Sequence, residues 1–163
     1  MAANKTIIKQ LESKKVEAIA ETKKLYNEAI KFYFELLQDH QELLELATKP
    51  LLTELEKLTV ETLLNPTPAF PLPWKLPAMF RRSAINAAIG QARSFHSNLE
   101  RWHKKKEKAL AKGKKFSERP PQPPKEFNQH PVYYLGMYQI INQEYVLLKL
   151  YTGESWIWVK YQL

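Results

Sequence analysis

The sequence has 163 residues, a formal net charge of +8, 44% hydrophobic residues and no cysteine. This length suits one domain or slightly more, and the apolar content is ample for a packed core, which excludes a wholly disordered chain. The lack of cysteine excludes disulfides, Cys-based zinc ribbons and a thiol nucleophile, and the lack of a long apolar run or a signal pattern predicts a soluble, cytoplasmic protein.

The positive charge is concentrated in one segment of the chain. Between residues 101 and 119, nine Lys or Arg residues stand against two Glu, whereas residues 1–77 hold ten basic and eleven acidic residues. Clustered cations raise the local concentration of anions and favour a polyanionic partner. A second interpretation stays open at this point, namely a solvated helix tail that keeps the chain soluble.

The first half of the chain predicts two helices after a short N-terminal segment. Residues 1–13 include KTIIKQL, which predicts one β-strand or a lead into the next helix. From Val16 to Leu46 apolar residues recur at three- and four-residue spacing, as in an amphipathic helix. A second helix is predicted from Pro50 to about Leu63, because proline is tolerated in a first helical turn.

A proline-rich segment separates these helices from a third one. Asn65–Pro77 carries five prolines, which stop regular structure, but its apolar residues predict an extended strap across the helices. The third helix is predicted from Pro77 to about Ala111, with Gly113 ending it. Its apolar stripe is Phe80, Ala84, Ala88, Ala92, Phe95, Leu99 and Trp102. Another face collects Arg82, Asn86, Arg93, Ser97 and Lys104.

The last third of the chain changes to strands. Residues 113–130 read as a basic, proline-stiffened connector. Residues 131–163 predict an antiparallel meander with strands at Val132–Ile141, Tyr145–Tyr151 and Trp156–Leu163. Trp156 and Trp158 share one face of the last strand and mark either a missing core contact or a binding platform. The fold class is therefore α+β, with a helical part at residues 14–112.

The residues that carry catalysis in other proteins do not form a pattern here. The acidic residues lie at salt-bridge spacing on predicted helices, and the four histidines are too widely spaced for a zinc site. The four glycines do not cluster into a phosphate loop. We therefore predict no catalytic residue, no metal, no cofactor and no small-molecule substrate.

Three stretches follow one another in a recognisable order. They are LPAMFRRSAINAAIGQARSFHSNLERW (Leu76–Trp102) with the basic residues after it, PPQPPKEF (Pro120–Phe127) and LLKLYTGESWIWVKYQL (Leu147–Leu163). This succession resembles the N-terminal part of the OrfB-type transposases, the TnpB proteins, which are transposon-encoded, RNA-guided DNA nucleases related to type V CRISPR effectors. The resemblance implies a three-helix recognition lobe inserted into an incomplete antiparallel wedge-like β-barrel, with the first strand in residues 1–13.

The resemblance also implies partners and contact residues. The partner would be a guide RNA, target DNA or their heteroduplex. Positions matching the recognition helix are Arg81, Arg82, Asn86, Gln91, Arg93 and Arg101, and the matching wedge strands carry Lys149 and Lys160 beside the two tryptophans. The basic run adds Lys104, Lys105, Lys106, Lys108, Lys112, Lys114 and Lys115 as candidate phosphate contacts.

Members of that family cleave DNA with a RuvC-type trio of carboxylates and a zinc ribbon, which follow the region matched here. We therefore expect this chain to bind nucleic acid without cleaving it, with the RuvC-like part lost or carried by a separate chain. Two alternatives stay open. One is a free-standing regulator that competes with a full-length transposase, and the other is a helical protein-interaction module.

Overall fold

The computed structural model describes residues 16–163, so the strand predicted within residues 1–13 lies outside the described residues. The described part is an α+β fold, as predicted, with three α-helices and one antiparallel sheet of strand order β1-β2-β3. The elements are α1 (Val16–Asp39), α2 (Thr48–Thr59), α3 (Ala78–Ala111), β1 (Tyr138–Ile140), β2 (Tyr145–Tyr151) and β3 (Trp156–Gln162).

The first helix is shorter than its apolar periodicity predicts. It ends at Asp39, and the prediction that it continues to Leu46 was wrong. His40 leaves the helical conformation at φ −129° and ψ 60°, and its ring packs 4.9 Å from that of Phe70 in the strap. A short 3₁₀ helix, Gln41–Glu45, follows. The chain therefore turns toward α2 at a point where apolar residues still recur at helical spacing.

The second helix also ends earlier than predicted, at Thr59 rather than near Leu63. The strap provides the physical reason. The backbone N–H of Phe70 donates to the carbonyl of Leu58 at 2.8 Å. The N–H of Leu72 likewise donates to the carbonyl of Thr59 at 2.9 Å. Because the strap satisfies two of the carbonyls that a helix end leaves without partners, α2 stops there.

The main core lies between α1 and α3, with α2 and the strap packed against it. The first half of the predicted apolar stripe of α3 is fully buried there, and its alanines let α1 approach closely. Two buried hydrogen bonds link the helices: Tyr33 Oη with Thr59 Oγ1 at 2.7 Å, and Tyr26 Oη with Ser83 Oγ at 3.1 Å. Burial raises the pKa of Tyr33, and the Thr59 hydrogen bond offsets part of that rise.

Of the three predicted strands, the first differs most from the strand that the structure shows. β1 spans three residues, so the predicted strand Val132–Ile141 was wrong over most of its length. Ser83 Oγ on α3 donates to the carbonyl of Val132 at 2.6 Å, and Gly136 adopts φ +107° in a turn. The backbone before β1 is therefore bonded to a helix instead of a neighbouring strand.

The sheet packs against α1 through one of its faces. Val146 and Leu150 of β2 are buried with Tyr161 of β3 against Ala18. The backbone N–H of Tyr151 donates to Thr22 Oγ1 of α1 at 2.8 Å. These contacts fix the meander onto the helices, so the side chains on the opposite sheet face have a defined position.

Candidate nucleic-acid interface

The N-terminal half of α3 carries two of the predicted contact residues in an internal ion pair. Glu56 of α2 accepts a hydrogen bond from Arg82 Nε at 3.0 Å and from Arg81 Nε at 3.1 Å, and Arg81 Nη2 adds a further short contact. The side chains of Glu56 and Arg81 are only 17% and 13% exposed. Both arginines therefore join α3 to α2, and the carboxylate neutralises part of their charge.

Two more predicted contact residues on α3 also bond to neighbouring elements. Arg93 donates from Nη1 to Thr48 Oγ1 and from Nη2 to the carbonyl of Leu46, both at 2.7 Å. These bonds tie α3 to the start of α2. Asn86 Nδ2 donates to Tyr134 Oη at 3.0 Å and holds the segment before β1. Both side chains thus have structural partners within the chain.

The C-terminal half of α3 is different, because no residue of this helix after Ala92 is buried. Gln91, also a predicted contact, is half-buried just before this point. Four exposed cations of the outer half and the C-cap lysine that follows it share one face, spread over about 100° of arc and about 17 Å along the helix axis. We call this face the basic stripe: Arg101, Lys104, Lys105, Lys108 and Lys112.

A glycine turn ends α3 and directs the following lysines back along the helix. Gly113 has φ +66°, and its N–H donates to the carbonyl of Leu110 at 3.0 Å. The N–H of Lys114 donates to the carbonyl of Ala109 at 2.9 Å, which completes a Schellman motif. Lys114 and Lys115 are exposed at the start of the connector, close in sequence to the stripe.

The connector packs on the outer half of α3 through an aromatic contact. The rings of Trp102 and Phe116 lie 5.7 Å apart, and Trp102 Nε1 donates to the carbonyl of Glu118 at 2.9 Å. Lys106 Nζ lies 5.2 Å from the centroid of the Trp102 ring. Trp102, the last residue of the predicted apolar stripe, therefore packs on the connector and does not belong to the main core.

The electrostatics of the stripe favour an anion despite its place near a helix C-terminus. The helix dipole places about half a negative charge there, which stabilises nearby lysines but repels a polyanion. Residues 101–115 contain eight basic residues and Glu107, a net +7 that far exceeds the dipole charge. Lys105 pairs with Glu118 at 3.5 Å, and because both side chains are more than half exposed this pair is worth little.

The two predicted wedge-strand lysines lie on the sheet, outside α3. Lys149 Nζ of β2 is 5.8 Å from the centroid of the Trp158 ring on β3. Lys160 Nζ of β3 is 4.1 Å from the ring centroid of Tyr145 on β2. The predicted basic contacts therefore fall into three groups: arginines bonded within the fold, the basic stripe with the lysines next to it, and the lysines of a lysine–aromatic sheet face.

Two residues important to this arrangement were missed in the sequence. Glu56 gives no local signal, since its partners lie 25 and 26 residues further along the chain. Tyr145 did have a signal, because it stands in a predicted strand in phase with Lys149, and alternate strand residues share a face.

Metal-holding side-chain clusters and membrane-spanning helices are both absent from the part of the chain that the structure describes. Among residues 16–163 no three His, Cys, Asp or Glu side chains come together in a way that would hold a metal ion. None of the three α-helices in that range combines the length and apolar character that crossing a membrane requires.

Comparison with known proteins places the chain in a family. A 49-residue segment is 51% identical to the uncharacterized protein aq_aa04 of Aquifex aeolicus (strain VF5), covering 30% of this chain and 28% of that relative. The aligned part is thus less than a third of the relative's length. No solved structure matches significantly. The Aq_aa04 family matches residues 4–152, most of the chain, and the protein therefore belongs to the Aq_aa04 family.

Proposed function

We propose that this protein binds nucleic acid, and that the basic stripe of α3 holds the sugar–phosphate backbone. The observation that carries the proposal is the stripe itself: five exposed cations on one helix face, of which only Lys105 has an ion pair within residues 16–163. The arginines in the first half of the helix have protein partners, so the proposal does not depend on them.

The dimensions of the stripe suit a phosphate backbone. Duplex DNA carries one charge per roughly 1.7 Å of axis, so about ten phosphates lie along a stripe of about 17 Å. Five cations on one face can reach only some of these. Each contact releases condensed counterions, which makes the affinity fall with salt by about 0.7 log units per log unit for a single strand and about 0.9 for a duplex.

The test is the salt dependence of binding to a short fluorescent RNA, measured by anisotropy. The variant K104Q/K105Q/K108Q/K112Q should bind about tenfold or more weakly at low salt, with a slope shallower by about three units. A matched control, K24Q/K31Q/K49Q/K57Q, removes the same charge from exposed lysines of α1 and α2. If both variants weaken binding equally, or neither does, the stripe is not the interface.

We propose further that the chain has the TnpB-type organisation that its sequence resembles. The helices would form a recognition lobe, and the meander would form part of a wedge-like barrel. The partner would then be a guide RNA or its heteroduplex with target DNA, and cleavage would belong to other residues. The α+β order of helices followed by an antiparallel meander supports this proposal. The Aq_aa04 match names no transposase.

One observation favours a second candidate function, a protein-interaction module. β3 pairs with β2, and its other edge has no partner strand among residues 16–163. An open edge offers unpaired backbone groups to another chain. Light scattering across the same salt series separates the two candidates. Self-association that does not depend on salt, without RNA binding, would favour the interaction module.

A further inference from the structure

The antiparallel register divides the sheet into two faces of different character. Val146, Leu148 and Leu150 of β2 stand opposite Tyr161, Val159 and Ile157 of β3 on the face that packs toward α1. The alternate residues form the other face, which we call the sheet platform. Its central members are Tyr145, Leu147 and Lys149 of β2 with Trp158, Lys160 and Gln162 of β3.

The platform combines aromatic rings with cations and contains no carboxylate among these six positions. Trp158 stands directly opposite Lys149, and each of the two lysines lies over an aromatic ring of the neighbouring strand. Trp158 and Lys160 are exposed, Trp158 to 42%. Such a surface has the charge that complements a phosphate chain, and it offers flat rings between the charges.

The two tryptophans of β3 show that only part of this face is free. Trp156 packs against Phe80 of α3 with ring centroids 4.9 Å apart and against Tyr151 at 5.3 Å. Trp156 therefore belongs to the core. The sequence alone had assigned the same two possible roles to both tryptophans, a core contact or a binding platform. Trp158 lies two residues further along the same face, past this contact, and its ring is accessible.

We propose that the sheet platform binds a single-stranded nucleic acid by stacking bases on Trp158 and Tyr145, with Lys149 and Lys160 contacting the adjacent phosphates. The inference rests on the proposed nucleic-acid binding and adds the class of ligand, because bases inside a duplex have no free face to stack on a protein ring. Leu147 lies on the same face between Tyr145 and Lys149, the β2 partner of Trp158. These two β2 positions are about 14 Å apart, given a rise of about 3.4 Å per residue.

The lysines that now cover the rings do not prevent stacking. An exposed cation–π contact shifts an equilibrium by roughly two- to fivefold. Stacking of one base on an aromatic side chain shifts it by roughly five- to 150-fold. A base therefore displaces the ammonium group from the ring, and the flexible lysine stem moves its charge to a phosphate of the same strand.

The test compares three probes of equal length: a single-stranded oligothymidylate, its duplex with oligoadenylate, and an abasic phosphodiester chain. The variants W158A and Y145A in the full chain should each bind the oligothymidylate about tenfold more weakly. Their affinity for the abasic chain should stay within about twofold, because the charges are unchanged. W158F, which keeps a ring, should recover most of the lost affinity.

Controls separate failure of this inference from failure of the proposed function. I140A removes an exposed apolar side chain from β1 on the opposite face and should leave all three affinities unchanged. If W158A and Y145A behave like I140A while the stripe variant loses binding, the platform is refuted and the stripe stands. If the unaltered chain binds none of the three probes, both proposals fail.

Two further results would also overturn the platform. One is an equal loss of affinity for the abasic chain in W158A, because that loss would come from charge or folding instead of stacking. The other is a change in oligomeric state on W158A substitution without a change in oligothymidylate affinity, because Trp158 would then serve a protein contact. If W158A alters the circular dichroism of the sheet, the comparison of Y145A with Y145F takes its place.

Discussion

The two halves of α3 carry similar basic residues but use them differently. From Ala78 to Ala92 the helix is packed against α1 and α2, and Arg81 and Arg82 bond to Glu56. From Arg93 onward the helix is partly or fully exposed, and its lysines face solvent. The comparison teaches that the number of cations in a segment does not determine which of them can bind a ligand. The availability of a carboxylate or carbonyl on a neighbouring element decides that.

The largest expected effect is on the free energy of unfolding, and it distinguishes a buried from an exposed apolar position of this helix. Phe80 is 1% exposed and contacts the rings of Tyr26 and Trp156, whereas Leu110 is 58% exposed. Phe80→Ala should lower the free energy of unfolding by roughly 3–5 kcal/mol, because it leaves a cavity in the core. Leu110→Ala should change it by less than about 0.5 kcal/mol. Urea unfolding followed by circular dichroism measures both, and equal values would contradict the division of α3 into two halves.

A smaller effect is expected from the ion pair that distinguishes the first half. Glu56→Gln should lower the free energy of unfolding by about 2 kcal/mol, since hydrogen bonds to charged groups contribute roughly 1.5–3 kcal/mol and Arg81 would stay largely buried without its counter-charge. Glu100→Gln makes the same chemical change at an exposed position of α3 and should cost less than about 0.5 kcal/mol. A negligible cost at Glu56 would show that the arginines are free for other contacts.

The smallest expected effect is a loss of stability at alkaline pH that comes from two tyrosines of the packed region. Burial raises the pKa of Tyr33 and of Tyr133 above the ordinary value of about 10. Above about pH 10 the unfolded chain therefore releases phenolic protons that the folded chain retains. The free energy of unfolding should be constant with respect to these groups below pH 10 and should fall as the pH rises beyond it.

Urea unfolding at pH 9, 10 and 11 checks this expectation. Tyr133→Phe should make the decline shallower, because it removes one of the two groups. A decline that is unaffected by Tyr133→Phe would assign the alkaline effect to other groups.

Several elements of the fold could be predicted from the sequence, because the residues that determine them lie within or next to each element. α3 was predicted to within a residue, since Pro77 precedes it and Gly113 supplies the left-handed turn after it. β2 and β3 were found because each is a run rich in β-branched, aromatic and other apolar residues, bounded by short polar turns. The early ends of α1 and α2 were not predictable, because the groups that contact them come from the strap. Phe70 lies 30 residues after His40, and the strap N–H groups lie 12 and 13 residues after the α2 carbonyls that they bond.

The candidate sites were likewise predictable from the sequence only in part. The concentration of lysines after Arg101 and their common helix face can be read from spacing alone. The engagement of Arg93 with the start of α2, and of Asn86 with Tyr134, required the packed structure, because both partners lie more than forty residues away. The difference between Trp156 and Trp158 also required it, since the two residues are equivalent by strand alternation.

By itself, the sequence determined the α+β class, the long third helix, the meander and the position of the excess positive charge. These features depend on the periodicity of side chains and on proline and glycine geometry, which act within a few residues. The tertiary structure alone decided which cations have partners and which rings are covered. Those contacts join residues that are distant along the chain, and only packing brings them within hydrogen-bonding or van der Waals distance.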